Sequence, residues 1–127
     1  NYGTVLFAVA DKDKEEALPL VRRFYNLGFN IEATSGTAAY LREHGIKTRT
    51  KSADGEDSEI LNAIRRGYVT YVINTTSTDD ASTDDGKYIR RCAIDNNIAV
   101  FTCLDTVKVL LDVLEEITMK VSVIDEE

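Results

Sequence analysis

Tyr71-Val72-Ile73-Asn74-Thr75-Thr76, residues 71–76, passes from an apolar run into an amide and two hydroxyls. The apolar half is typical of a buried strand, predicted over residues 68–74, and the polar half lies at its carboxyl end. In open α/β sheets, ligands bind outside the carboxyl ends of the strands, at a topological switch point. The stretch therefore indicates an α/β fold with a binding site after a strand. A turn held by local Asn and Thr hydrogen bonds is the alternative interpretation.

Strand and helix patterns alternate on both sides of this stretch. The apolar run at 5–10 is continuous, as expected for a central strand covered on both faces. Alternating units of this length imply a parallel sheet with helices on both faces and right-handed crossovers. The predicted strands are 5–10, 29–34, 46–51, 68–74 and 98–102. Helices are predicted at 13–27, 35–44 and 105–119. Two more are predicted from apolar residues that share a helical face: Ile60, Leu61 and Ile64 in one, and Tyr88, Ile89, Cys92 and Ala93 in the other.

Length and composition fit one domain with one core, since the chain has 127 residues, of which 43% are hydrophobic. It begins with Asn1 rather than methionine, so we expect a piece of a longer chain. No run approaches the roughly 18 to 20 apolar residues of a membrane helix, and the N-terminus lacks the pattern of a secretory signal. These features predict a single domain over residues 1–127 in a soluble, cytoplasmic protein.

Charge and cysteine content argue against a nucleic-acid-binding protein and against a cysteine-based metal or redox site. A net charge of −7 would repel a nucleic acid, whose recognition needs a clustered basic face. A small phosphate-bearing ligand stays compatible, because local cations and oriented amides outweigh distant charge at close range. Cys92 and Cys103 have neither metal-ligand nor redox spacing. We expect both to be buried and reduced, with no metal and no cofactor in the domain.

The predicted strands are followed by polar groups that suit an anion. Thr34-Ser35-Gly36-Thr37 combines hydroxyl donors, a glycine that allows close approach and a helix N-terminus with free N–H groups. Lys14 and Lys51 would supply positive charge after the first and third strands. Ordinary helix capping is the alternative for Thr34, Ser35 and Thr37. The groups after the fourth strand join this set only if the first and fourth strands are neighbours.

The order and spacing of these segments resemble the methylglyoxal-synthase-like effector domain of carbamoyl phosphate synthases, from Val5 to about Glu116. The resemblance is carried by Ala10-Asp11-Lys12-Asp13-Lys14, Gly28-Phe29, Ala33-Thr34-Ser35-Gly36-Thr37, Gly45-Ile46, Val72-Ile73-Asn74-Thr75-Thr76 and Ile89-Arg90-Arg91. It implies a three-layer fold with a five-stranded parallel sheet in the order 3-2-1-4-5. The first and fourth strands are then adjacent.

The same resemblance implies a function and a site. The domain would be the allosteric domain of the large subunit of a glutamine-hydrolysing, ATP-dependent ligase that serves pyrimidine and arginine synthesis. Its partners would be a phosphorylated nucleotide-type effector of the UMP, IMP or phosphoribosyl pyrophosphate class, the rest of the large subunit and the small glutaminase subunit. Together with the anion-binding candidates described above, the effector-binding positions are Lys14, Thr34, Ser35, Gly36, Thr37, Lys51, Asn74, Thr75 and Thr76.

A methylglyoxal synthase acting on dihydroxyacetone phosphate is the rival from a different class. That family keeps a catalytic carboxylate in a Gly-Gly-Asp turn after the third strand, together with active-site histidines. Here the matching turn is Ala53-Asp54-Gly55, and the only histidine, His44, stands at a predicted helix end. General acid and base catalysis needs a tuned pair of groups. We therefore expect binding rather than catalysis and assign no catalytic residue.

A module that contacts a partner protein and binds no ligand is the third interpretation. Its contacts would come from the arginine pairs Arg65-Arg66 and Arg90-Arg91. A solvated face beside acidic residues is the more ordinary explanation of such pairs. None of the four arginines is assigned to the site.

Local signals set the expected ends of several elements. Asp13 and Glu16 are spaced as a capping box, and Pro19 should kink the first helix or loosen its first turn. Residues 75–85 have the composition of a solvated loop, and residues 121–127 fit a last edge strand or a linker. The last helix should turn these residues inward: Val107, Leu110, Leu111, Leu114 and Ile117.

Overall fold

The computed structural model describes residues 3–52, 58–75 and 84–125, along which strands and helices alternate. The strands are β1 Thr4–Ala8, β2 Asn30–Ala33, β3 Arg49–Thr50, β4 Val69–Asn74 and β5 Ala99–Phe101. The helices are α1 Lys14–Asn26, α2 Ser35–Glu43, α3 Glu59–Arg65, α4 Asp84–Asp95 and α5 Leu104–Asp125. A single 3-10 turn, Asp11–Asp13, leads into α1.

The strands lie in one parallel sheet in the order β3-β2-β1-β4-β5. β1 is central, with Val5 paired to Ile31 of β2 on one side and to Tyr71 of β4 on the other. The register also places Ala8, the last residue of β1, beside Asn74, the last residue of β4. The carboxyl ends of β1 and β4 are therefore neighbours, as the candidate site requires.

Two apolar layers pack on opposite faces of the sheet, and β1 supplies both because successive side chains of a strand point to opposite sides. Val5 and Phe7 belong to the layer formed with α1, α2 and α5. Leu6 and Ala8 belong to the layer formed with α3 and α4. This arrangement explains the unbroken apolar run of β1. The predicted fold class, a five-stranded parallel sheet in the order 3-2-1-4-5 between two helical layers, is confirmed.

Local hydrogen bonds fix the ends of two helices. Before α3, the Oγ of Ser58 accepts from the backbone N of Leu61 at 3.2 Å and caps the helix. After α2, Gly45 adopts a φ of +82°, a conformation that glycine reaches without steric cost. Ile46 N then donates to Leu41 O at 3.0 Å, and Gly45 N donates to Arg42 O at 3.1 Å. This pair of bonds closes α2 as a Schellman motif.

The structure corrects predictions about the ends of other elements. The Asp13 side chain makes no cap hydrogen bond, because Lys12 binds its carboxylate at 3.0 Å, so the predicted capping box is wrong. α1 runs unbroken through Pro19 after the 3-10 turn. The edge strand considered for 121–127 is also wrong, since α5 continues to Asp125. Much of the predicted loop at 75–85 lies outside the described residues.

Two predictions of burial, for Ile117 and Cys103, are wrong. Ile117 was expected to face inward, but it is 53% exposed. On α5, Val107 and Leu111 are buried, and Leu110 and Leu114 are partly covered. Cys103 was expected to be buried and is exposed in the segment that joins β5 to α5, whereas Cys92 is buried as predicted.

No helix in the described ranges 3–52, 58–75 and 84–125 combines the length and the apolar character needed to span a bilayer.

Candidate functional site

Side chains from three parts of the chain meet at the carboxyl end of β1. Ala8, Val9 and Ala10 are buried, so their backbone N–H and C=O groups need partners within the protein. Polar side chains from α1, from the start of α2 and from the end of β4 supply those partners. We call this cluster the carboxyl-edge cradle, and it consists of Lys14, Thr34, Thr37, Asn74 and Thr75.

The start of α2 contributes two linked hydroxyls. Thr37 Oγ1 accepts from Val9 N at 3.2 Å and donates to Val9 O at 3.4 Å. Thr34 Oγ1 donates to Thr37 Oγ1 at 3.1 Å, and the Thr34 side chain makes no cap hydrogen bond with its own helix. Capping therefore does not explain Thr34. The two hydroxyls join the first turn of α2 to the end of β1.

The end of β4 binds the same segment from the other side. Asn74 Nδ2 donates to Ala8 O at 3.0 Å, and Thr75 Oγ1 accepts from Ala10 N at 3.0 Å. Asn74 and Thr75 are 4% and 6% exposed, respectively. Their side chains reach across to β1, so the alternative of a purely local turn does not describe them. Thr76, the third residue of this predicted set, lies outside the described residues.

Lys14, the first residue of α1, brings a positive charge to the cradle. Its side chain is 13% exposed, and Nζ donates to Val9 O at 3.1 Å and to the carboxylate of Asp11. The hydrogen bond from Lys14, together with its charge, lowers the pKa of Asp11. A Cβ on Gly36 would lie 4.0 Å from Lys14 Nζ. The ammonium group therefore faces the first turn of α2 and has Asp11 as its surface counter-ion.

The remaining predicted positions fall into two groups. Ser35 and Gly36 are exposed in the first turn of α2, next to the cradle. Lys51 donates its backbone N–H to Ala33 O at 2.9 Å and lines a separate cavity with Arg66 and Tyr68. The structure thus gathers most of the predicted site at one place and puts Lys51 beside other cations. A ligand-binding role for any of these residues stays a prediction.

Comparison with known proteins assigns the chain to a family. The family model of the MGS-like domain matches residues 16–102, more than half of the chain. The chain belongs to the MGS-like domain family. The match includes the start of α2 and the end of β4, which supply four of the cradle residues.

Two solved structures resemble this MGS-like domain. Methylglyoxal synthase from Elizabethkingia anophelis NUHP1 is 18% identical, with a TM-score of 0.71 over 86% of this chain and 76% of that one. The structure of ForH is 19% identical, with a TM-score of 0.65 over 91% of this chain and 81% of that one. At these identities the likeness establishes a shared fold.

Arg90 is the residue of this MGS-like domain that sequence reasoning left out of the site. Its Nη1 donates to Asn74 Oδ1 at 2.5 Å, so Asn74 is held by β1 and α4 together. Gly86 gives the arginine room, because a Cβ there would stand 3.0 Å from Arg90 Nη1. The available signal was the basic pair Arg90-Arg91, and only the packing of α4 distinguishes Arg90 within it.

The chemistry of the cradle suits holding an anion rather than moving a proton. Its ammonium and the N-terminal N–H groups of α2 attract an anion, whereas its hydroxyls, the Asn74 amide and the N–H groups of Val9 and Ala10 are hydrogen-bonded within the protein. His44 lies at the other end of α2, a helix of nine residues, which at about 1.5 Å per residue puts it roughly 13 Å away. Its Nδ1 is 2.8 Å from Tyr40 O, and its ring stacks on Tyr40 with centroids 4.4 Å apart. His44 therefore supports the end of α2 and does not reach the cradle.

Proposed function

We propose that this MGS-like domain is the allosteric domain of a carbamoyl phosphate synthase large subunit and binds a phosphate-bearing nucleotide-type effector in the carboxyl-edge cradle. The observation that carries the proposal is the meeting of Lys14 with Thr34 and Thr37 at the N-terminus of α2. Effectors of the UMP, IMP or phosphoribosyl pyrophosphate class carry the required group. No catalytic residue, metal or cofactor is assigned to the domain.

A phosphate at this position would find three kinds of favourable contact. The first N–H groups of α2 have no partner inside the helix, and the helix dipole favours negative charge there. Lys14 Nζ supplies a point charge at the same turn. Exposed Ser35 and Gly36 leave the backbone open to a ligand. These contacts are short-range, so the net charge of −7 does not prevent binding.

The effector would act by favouring one conformation of the parent enzyme. A ligand shifts such an equilibrium only through its different affinity for the two states, and the coupling is commonly about 1 to 3 kcal/mol. The rest of the large subunit, together with the small glutaminase subunit, would respond by altered synthesis of carbamoyl phosphate for pyrimidine and arginine pathways. The parent enzyme would work in the cytoplasm.

Calorimetric titration with UMP, IMP and phosphoribosyl pyrophosphate tests the proposal. We expect saturable binding of at least one of the three, with one molecule bound at the cradle. Amide chemical shifts of Val9, Ala10 and Gly36 locate the ligand in the same sample. Absence of binding by all three ligands, or shifts confined to other parts of the chain, would contradict the proposal.

Asp11→Asn is expected to tighten effector binding by about two- to fivefold, the scale of an exposed ion pair. Asp11 is the carboxylate paired with Lys14, and its side chain is exposed. A phosphate has to displace it, and asparagine removes that competition. Asp95→Asn changes the net charge equally on α4 and serves as the control. Weaker binding to Asp11→Asn than to the control would show that Asp11 helps to hold the ligand.

Methylglyoxal synthase activity is the second candidate function, favoured by the likeness to a synthase of that name. We expect no such activity, because His44 is bound to Tyr40 at the far end of α2. Asp54, the other candidate base, lies outside the described residues. The assay is formation of methylglyoxal from dihydroxyacetone phosphate. Turnover of about 1 per second or faster, lost on Asp54→Asn, would establish the enzyme instead.

A further inference from the structure

A polar cavity opens at the β3 side of the sheet, away from the carboxyl-edge cradle. Its volume is about 470 Å³, within the roughly 300 to 1,000 Å³ range of small-molecule sites. Gly3, Thr4 and Asn30 bound it at the amino ends of β1 and β2. We call it the edge cavity, and the side chains that define it are Glu32, Arg49, Lys51, Arg66 and Tyr68.

The edge cavity contains a buried carboxylate held by a tyrosine. Glu32 is 2% exposed although it belongs to a strand of only four residues near the edge of the sheet. The hydroxyl of Tyr68 donates to both Glu32 oxygens, at 3.1 and 3.2 Å. Burial raises the pKa of Tyr68, and the neighbouring Glu32 carboxylate raises it further. The pair forms a fixed polar wall, with Tyr68 itself 38% exposed to the cavity mouth.

Three cations stand around this pair without a counter-ion among the described residues. Lys12, Lys14, Arg23, Lys108 and Lys120 all have a carboxylate within 4.0 Å. Arg49, Lys51 and Arg66 form no such ion pair within residues 3–52, 58–75 and 84–125, and although several other cations share this property, these three line one cavity together. Arg49 is paired in register with Glu32. The charges of Arg66 and Arg49 act on Tyr68 and oppose the rise in its pKa. Among the described residues, the edge cavity thus brings three positive charges together.

The charges around the cavity favour a bound anion. Three like charges repel one another, and an anion between them removes that repulsion. Glu59 lines the adjoining space with Lys51, but its Oε1 accepts from Ser52 N at 2.9 Å. Among the described residues of this region, three cations therefore face two carboxylates, one of them bound by Tyr68 and the other by the backbone. Guanidinium groups match the geometry of phosphate oxygens and bind them in pairs of hydrogen bonds.

We infer that the edge cavity is a second anion site of this domain, which takes the phosphate group of inorganic phosphate or of a small phosphorylated metabolite between Arg49, Lys51 and Arg66. It is separate from the cradle, because it opens at the amino ends of β1 and β2 rather than at the carboxyl end of β1. The inference does not depend on the proposed effector function, since none of the five cradle residues lines the cavity; of the predicted effector-binding positions, Lys51 alone does so.

The test is a titration of the ¹⁵N-labelled full chain with inorganic phosphate, followed by amide chemical shifts. We expect saturating shifts at Arg49, Lys51, Arg66 and Tyr68. The double variant Arg49→Gln/Arg66→Gln should raise the Kd for phosphate, as fitted from these amide shifts, about tenfold or more, because it removes both guanidinium groups. Both arginines are exposed, so circular dichroism should give the Tm of the wild type. The control Lys87→Gln/Arg91→Gln removes the same charge from exposed positions on α4 and should leave the Kd unchanged.

Two further titrations separate the edge cavity from the cradle, and inorganic phosphate from a phosphate ester. In Lys14→Met, phosphate should still shift the amide signals of Arg49 and Arg66, even if the amides of the cradle no longer respond to it. A parallel titration with ribose 5-phosphate distinguishes a site for phosphate esters from one for the free ion, and tighter binding of either supports phosphate recognition. Shifts that rise linearly without saturation would overturn the inference, as would a Kd that Arg49→Gln/Arg66→Gln leaves unchanged.

Discussion

Asn74→Ala is expected to weaken binding of a phosphate-bearing nucleotide by roughly ten- to a hundredfold, and to lower the free energy of unfolding by about 1 to 3 kcal/mol. Asn74 is 4% exposed and bonded at both ends of its amide, to Ala8 O and to Arg90. Alanine removes one of the two donors to the buried Ala8 carbonyl, which keeps Thr75 N at 3.2 Å, and leaves the Arg90 guanidinium without this acceptor. The end of β1, on which the other cradle residues are placed, loses one of its supports.

The measurements for Asn74 are nucleotide affinity by calorimetry and urea unfolding. Asn26→Ala, at the exposed end of α1, removes the same side chain where it has no structural role and should change neither quantity. Arg90→Gln and the double variant with Asn74→Ala complete a cycle, in which a coupling energy near zero would mean that the contact between the two residues is unimportant. An Asn74→Ala protein with full affinity and full stability would remove this residue from the site.

Lys14→Met should also weaken the nucleotide by roughly ten- to a hundredfold, but with little change in stability. Methionine keeps the apolar stem and removes the ammonium that faces the first turn of α2. Val9 O loses one donor and keeps the Thr37 hydroxyl. The two variants thus differ in kind, because Asn74 acts through the end of β1 whereas Lys14 would act on the ligand itself.

Lys12→Met is the matched control for the Lys14 variant. Lys12 stands two residues earlier, carries the same charge and is 58% exposed in its side chain, where it pairs with Asp13. Removal of its charge should leave the affinity nearly unchanged, since long-range charge is screened in ordinary salt. Equal losses for Lys12→Met and Lys14→Met would point to a general electrostatic effect and contradict a specific contact by Lys14.

The fold could be predicted from the sequence because its central strand is marked so clearly. A continuous apolar run at 5–10 fits a strand covered on both sides, and the two layers separate Val5 and Phe7 from Leu6 and Ala8. The strand order came from the resemblance and not from periodicity. Element ends were less predictable, since Lys12 competes for the carboxylate of Asp13 and the core stops before Ile117.

Residues of the cradle could be predicted from their position after strands. Thr34, Thr37, Asn74 and Thr75 follow β2 and β4, and the parallel sheet brings these ends to one edge. Lys51 follows β3 by the same rule, yet it lines the edge cavity with Arg66, which belongs to the end of α3. The packing of α3 and α4 is a long-range property, so no local pattern distinguishes Arg66 or Arg90 from a solvated arginine.

The position of β1 at the centre of the sheet has a consequence for how the chain folds during its synthesis. Its partner β4 comes more than 60 residues later; the hydrogen bond that Asn74 donates to Ala8 O spans 66 residues, and the one that Ala10 N donates to Thr75 spans 65. Contacts this distant in sequence form slowly, and until β4 has emerged one edge of β1 is an unpaired, apolar strand prone to aggregation. A ligand held by the cradle would bind only the completed sheet and would draw newly made chains toward it by mass action.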